Sequence, residues 1–191
     1  MDFAAGNGTR RDPDDNHNEG VVPIEDWPLT ALLRGARAAF GSAIRRALAD
    51  GGYDDLPPNG PYVIGAIARS DAARSDAARS DAARSDAART SAPLAAVVRQ
   101  LGVSKQAAGQ LVDTLVIRGY LHRSVDPVDR RRLVVGLTDR GAAAAAVIRT
   151  AADAVEAELQ ATVGVRRVQA TREVLANLVR QGASSQEMGD A

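Results

Sequence analysis

The sequence predicts a mainly α-helical fold with one small β hairpin. Three observations carry that expectation. The chain is 45% apolar, but much of that is alanine and aromatics make up only 3%, a profile that suits packed helices. Apolar residues recur every three or four positions in several stretches separated by Gly and Pro. Only near residue 133 does the period fall to two, beside a basic run. At 191 residues the chain suits one core with appendages rather than two large domains.

Residues 1–25 hold Asp2, Asp12, Asp14, Asp15, Glu19 and Glu25 against Arg10 and Arg11, among Gly, Asn and Pro, and are expected to form a disordered acidic tail. Asp26 and Pro28 can open a helix, in which Leu29, Leu33, Ala36, Phe40, Ile44 and Leu48 mark one face until "DGG" at residues 50–52. After a turn-rich "YDDLPPNG" comes a shorter apolar stretch whose Tyr62, Val63, Ile64 and Ile67 can bury on one side.

Residues 70–89 then read "SDAARSDAARSDAARSDAAR". Five residues at about 100° each turn a helix by about 140° net, so the Asp and Arg positions wind around it and no face is apolar beyond alanine. Pairs such as Asp71 and Arg74 stabilise a solvated helix by only about 0.2–0.5 kcal/mol each. The stretch 69–90 is therefore expected to be a surface insert, either a helical extension or a flexible linker, since loop closure costs grow slowly with length. A docking arm for another protein is the alternative.

Beyond it, Ser91 and Pro93 are expected to start a short helix bearing Leu94, Val97, Val98 and Leu101, broken at Gly102. Ser104 caps a second helix with Ala107, Ala108, Leu111, Val112 and Leu115 on its core side and Lys105, Gln106, Gly109, Gln110 and Asp113 opposite. Helix, tight turn, helix with a polar first half is the arrangement that places a recognition helix in the DNA major groove. Gln106 and Gln110 can pair with adenine N6 and N7, and Lys105 can reach a phosphate or guanine. Next, "YLHRSVDPVDRRRLVVGLTDRG" has an apolar pair, a polar turn, the run Arg130, Arg131 and Arg132, and alternating Leu133, Val135 and Leu137. It is expected to be a hairpin whose basic tip suits the negative potential of a narrow minor groove. Residues 99–132 carry seven basic against three acidic side chains, although the whole chain balances 24 Lys+Arg with 24 Asp+Glu. The candidate DNA contacts are thus Ser104, Lys105, Gln106, Gln110, Arg130, Arg131 and Arg132.

"LGVSKQAAGQLVDTLVIRGYL" and "DPVDRRRLVVGLTDRG", with the flanking helices, resemble the MarR family of winged-helix transcription regulators over about residues 27–181, the repeat omitted. The resemblance implies that Asp129 fixes the wing and that Arg131 enters the minor groove. The chain departs from the family at Gly109 and Gln110, where Ser and Arg are common, and in the repeat, which falls in a connection normally a few residues long. On this reading 26–181 is one winged helix-turn-helix domain, with reading elements at 91–138 flanked by N- and C-terminal dimerisation helices at 26–50 and 139–181, and 182–191 a disordered tail. Thr138 caps a long helix carrying Val147, Ile148, Ala151, Val155, Leu159 and Val163 to Gly164, and a last one carries Val165, Val168, Val174, Leu175, Leu178 and Val179 to Gly182. A homodimer reading two half-sites about 34 Å apart on double-stranded DNA follows.

The same resemblance implies a small-molecule effector, anionic or aromatic, and the expected mechanism is repression by occupancy. Trp27, Phe40 and Tyr62 suit a core as well as a pocket, so no residue is assigned to it. The chain has no cysteine, and its two histidines, His17 and His122, lie far apart, so no catalytic, metal or cofactor site is expected, and the protein is not expected to be an enzyme. No apolar run approaches about 20 residues and no secretory leader is evident, so a cytoplasmic protein without membrane contact is expected. The rival reading is a winged-helix protein-interaction module using the repeat as its arm.

Overall fold

The computed structural model describes residues 22–79, 91–93, 104–125, 130 and 133–189. The chain divides into two compact units, Met1–Ala38 and Ala39–Ala191, with the boundary partway along the first helix. Most of the expected acidic tail, residues 1–21, lies outside the described residues.

In the first unit a 3-10 turn at Ile24–Asp26 precedes α1, Leu29–Asp50, and the Trp27 indole N–H donates to the Val22 carbonyl at 3.1 Å. Asp26 belongs to that turn and does not cap α1; the Pro28 carbonyl accepts the first helical bonds, from Ala31 and Leu32. Val22, Ile24, Trp27 and Leu29 are exposed.

The second unit is built around α2, Gly60–Arg79. Its Val63, Ile64 and Ile67 are fully buried, and α2 packs against the long helix α4 (Asp139–Val163), the helix α3 (Lys105–Ile117) and the strands β1 (Ser91–Pro93) and β3 (Leu133–Leu137). Around these side chains lie Leu48 of α1, Val112 and Leu115 of α3, Tyr120, Leu121 of β2 (Leu121–Val125), Val135, and Ala144, Ala145 and Ile148 of α4. Small alanines on α4 let it approach closely, which explains how an Ala-rich chain builds a dense core.

The sheet has three antiparallel strands in the order β1-β3-β2. Ser91–Pro93, expected at a helix start, instead pair with β3 in the register Ser91↔Gly136 to Pro93↔Val134. Proline tolerates an edge strand because it need not donate there, and Ala92, which precedes it, is biased toward extended backbone. The rest of the helix expected after it, residues 94–103, lies outside the described residues. The simple alternation expected in β3 is also replaced: Val134 and Val135 are both buried and Leu133 is 56% exposed. As the central strand, β3 is covered along Val134–Gly136, whereas Leu133 lies past the end of β1 and pairs only with Val125.

The first two repeat units continue α2 as helix to Arg79; residues 80–90 lie outside the described residues. The last helix, α5, runs Val165–Gly189, passing through Gly182 where a stop was expected. Gly182 keeps a helical φ, and no proline follows it, so nothing breaks the helix there. An ion pair between Arg172 and Glu156 ties α5 to α4. Because the buried part of α2 ends near Ala68 and β1 begins at Ser91, deletion of residues 70–89 is expected to leave the melting temperature within a few degrees and duplex affinity within a few-fold. Melts and gel shifts of the shortened chain check this.

Candidate nucleic-acid interface

Ser104 caps α3 as expected: its hydroxyl accepts from the Ala107 N–H at 3.2 Å, which satisfies one of the helix's free donors. Ala108, Val112 and Leu115 are buried and Leu111 packs against the core, while Ala107, assigned to that side, is exposed. The opposite face is open. Ser104, Gln106 and Gln110 are all exposed, and the two glutamines, four residues apart, lie about 40° apart around the axis. A β-carbon added to Gly109 would meet no atom within 4 Å, so the fold itself does not demand glycine there. Lys105 is the first residue of α3.

Arg130 lies exposed in the connection between β2 and β3; Asp129, Arg131 and Arg132 lie outside the described residues. The structure therefore brings Ser104, Gln106 and Gln110 together on one helix and puts Arg130 at the far end of the hairpin. An ion pair links the two elements. Arg123 of β2 pairs with Asp113 of α3 at 2.5 Å, with both side chains substantially exposed. Asp113 is one turn beyond Gln110 on the same face, so the base of the hairpin lies beside the glutamine-bearing surface. The pair itself contributes at most about 1 kcal/mol, and it removes Arg123 from the count of unengaged basic groups.

The turn between α3 and β2 is heavily bonded. Gly119, at φ +75°, ends α3; its N–H bonds the Val116 carbonyl and the Tyr120 N–H the Leu115 carbonyl, at 3.0 and 2.9 Å, a Schellman closure. Thr138 caps α4 by accepting from the Gly141 N–H at 3.0 Å, and its own hydroxyl sits 2.6 Å from the Gly119 carbonyl and 3.1 Å from that of Tyr120. Arg140 donates to the Arg118 carbonyl at 2.8 Å and to Asp55 at 3.0 Å, and lies 4.4 Å from the centre of the Tyr120 ring. The Tyr120 hydroxyl also donates to Asp55. None of Tyr120, Asp55 and Arg140 stood out in the sequence as a site residue. The signal was the "LTDRG" that begins on the last residue of β3, whose threonine, arginine and glycine all converge on this turn.

Two pKa shifts follow from that geometry. The hydrogen bond from Tyr120, with help from Arg140, holds Asp55 below the ordinary carboxylate value despite some desolvation. Burial, then the bond to Asp55, pushes Tyr120 up to about 12. The folded state thus favours ionised Asp55, whose contribution is present above about pH 4 and lost as pH falls through its lowered pKa. It favours neutral Tyr120, a contribution lost as pH rises from about 10 toward about 12. Melts across pH are expected to show both declines, and Tyr120→Phe to weaken the alkaline one.

No group of three or more His, Asp or Glu side chains suited to a metal occurs among the described residues, and none of the described helices is long and apolar enough to cross a membrane.

A model of the MarR family matches residues 87–132, which contain β1, α3, β2 and the basic run. No curated protein matches the chain by sequence. Among solved structures, the chain is similar to the reduced form of MarR from Escherichia coli (20% identity, 80% of this chain and 96% of that one, TM-score 0.55). It is similar to CouR from Rhodococcus jostii bound to p-coumaroyl-CoA (19% identity, 82% and 94%, TM-score 0.61). It is also similar to the transcriptional repressor CouR bound to a 23-mer DNA duplex (20% identity, 80% and 92%, TM-score 0.55). The fold is therefore the winged-helix fold of these MarR-type structures, and the stretch that the family model matches is the one bearing the glutamine face and the basic hairpin.

Proposed function

We propose that the chain is a sequence-specific DNA-binding transcription regulator, a ligand-responsive dimeric repressor acting in the cytoplasm. The carrying observation is the exposed polar face of α3, with Gln106 and Gln110 on it, joined by the Asp113–Arg123 pair to a hairpin whose connection carries the run Arg130, Arg131 and Arg132 in sequence. In this reading Gln106 and Gln110 read base edges in the major groove, Ser104 and Lys105 contact phosphate at the helix start, and Arg130, Arg131 and Arg132 line the minor-groove side, with Asp129 fixing the wing. The likeness to a repressor on duplex DNA supports this use of the fold.

A homodimer is proposed because single heads read too few bases, and because exposed Leu159 and Val163 of α4 and Val165, Val174, Leu178 and Val179 of α5 leave the C-terminal hairpin apolar toward solvent. A small-molecule effector would act by changing the spacing of the two heads, as differential binding to two states requires. The likeness to a p-coumaroyl-CoA complex supports an effector without indicating its chemistry here. The repeat, whose first two units extend α2, is read as an insert between the buried part of α2 and β1.

Selection of duplexes from a random pool, followed by gel shifts over a salt series, tests the proposal. Enrichment of a pseudo-palindrome, with affinity falling steeply with salt, is expected. A folded protein that enriches no sequence and binds no duplex overturns it in favour of a protein-interaction module whose arm is the repeat.

A further inference from the structure

Asp55 lies in the α1–α2 connection, 65 residues before Tyr120 and 85 before Arg140, yet it is where both donors meet. Each donor also holds the end of α3. Tyr120 is fully buried and closes the helix through its N–H to Leu115, and Arg140 spans from Asp55 to the Arg118 carbonyl. The Tyr53 ring flanks Tyr120 at 6.3 Å between centroids, so the connection contacts the turn on a second side. Residues 118–120 are thus held from two directions, by Thr138 and Arg140 of α4 and by Asp55 of the α1–α2 connection.

That turn is a pivot. Gln106 lies twelve residues away, about 18 Å along the helix, so a tilt of about 5° at residues 118–120 would move it by about 1.5 Å. A bidentate contact to a base edge tolerates much less. Resting on the DNA-binding reading above, we propose that Asp55 is a positioning residue for base recognition, acting through Tyr120 and Arg140 to set the direction of α3. It touches no DNA. Its effect falls on sequence-selective contacts, while phosphate contacts from long flexible side chains accommodate the tilt.

The test compares wild type, Asp55→Ala and Asp55→Asn on the selected duplex and on a scrambled one, with hydrogen exchange of the free proteins. Asp55→Ala is expected to lose about tenfold on the selected duplex, the scale of one bidentate base contact. Binding of the scrambled duplex should stay within about twofold, and exchange should quicken at residues 115–121 but not at 63–67. Asp55→Asn, which keeps an acceptor for Tyr120, is expected to recover most of the selective affinity. In a Tyr120→Phe, Arg140→Gln background, adding Asp55→Ala should change nothing further. Equal losses on both duplexes, or unchanged selectivity, would overturn the assignment. Should Asp55→Ala not fold, Tyr120→Phe, which removes only the hydrogen bond to Asp55, decides: quickening confined to 115–121 supports the role, and an unaltered or global change refutes it. Failure of the wild type to bind any duplex refutes the DNA reading instead, while the exchange data still judge whether Asp55 holds the turn.

Discussion

Gly141→Ala is expected to cost about 3 kcal/mol of folding stability or to prevent folding, read as a fall in the denaturant midpoint. A β-carbon at this position would overlap the Tyr120 carbonyl oxygen and approach Tyr120 C to 3.1 Å and the Leu137 side chain to 3.3 Å. The obstacle is backbone, and it cannot swing away, because that carbonyl accepts from the Thr138 N–H at 3.1 Å. Relief would require breaking the Thr138 cap or moving Tyr120 out of the core. By contrast, Gly109→Ala meets no atom within 4 Å, so it serves as the control for glycine replacement in a helix. A Gly141→Ala protein with wild-type stability would show that α4 and the α3–β2 turn are less closely apposed than described.

Arg131→Ala is expected to remove selective duplex binding, by roughly 10- to 100-fold, while leaving the melting temperature within a degree or two. The expected loss is electrostatic in origin. A narrow minor groove concentrates negative potential, and a guanidinium inserted there gains more than a lysine would, because it is more weakly hydrated and forms planar contacts. Arg131→Lys should therefore recover only part of the loss, which separates groove insertion from simple charge. Equal losses at Arg130, Arg131 and Arg132 would indicate a diffuse basic patch instead. Gel shifts at two salt concentrations distinguish these outcomes, since a phosphate contact alone lowers the salt slope by about one.

Much of the architecture was legible because helix ends are written locally. Ser104 and Thr138 announce their helices through a side chain that bonds two or three residues ahead, and both bonds are present. The face of α3 was legible from its period, apart from Ala107, whose small side chain satisfies either side. Strand β1 was not legible. Three residues carry no periodicity, and Ser91 with Pro93 suits a helix start as well as an edge strand; only pairing with β3 decides between them. The burial of Val134 beside Val135 was hidden for the same reason, because it depends on β3 having neighbours on both sides. At the candidate interface, residue types indicated the glutamine face, but not the Asp113–Arg123 pair or the Asp55 node, since partners separated by 10, 65 and 85 residues leave no mark on a local pattern.

The way β1 is held has a consequence for how this chain can vary. Because Ser91–Pro93 are gripped by β3 and α2 is anchored by Val63, Ile64 and Ile67, the span between them is fixed at both ends by contacts that do not involve the pentapeptide. Whole units can then be gained or lost, as slippage in a tandemly repeated coding stretch would produce, without disturbing either anchorage. Each unit removed or added would turn a helical stretch by about 140°, so chains with different numbers of units would present the Asp and Arg positions of that stretch in different directions.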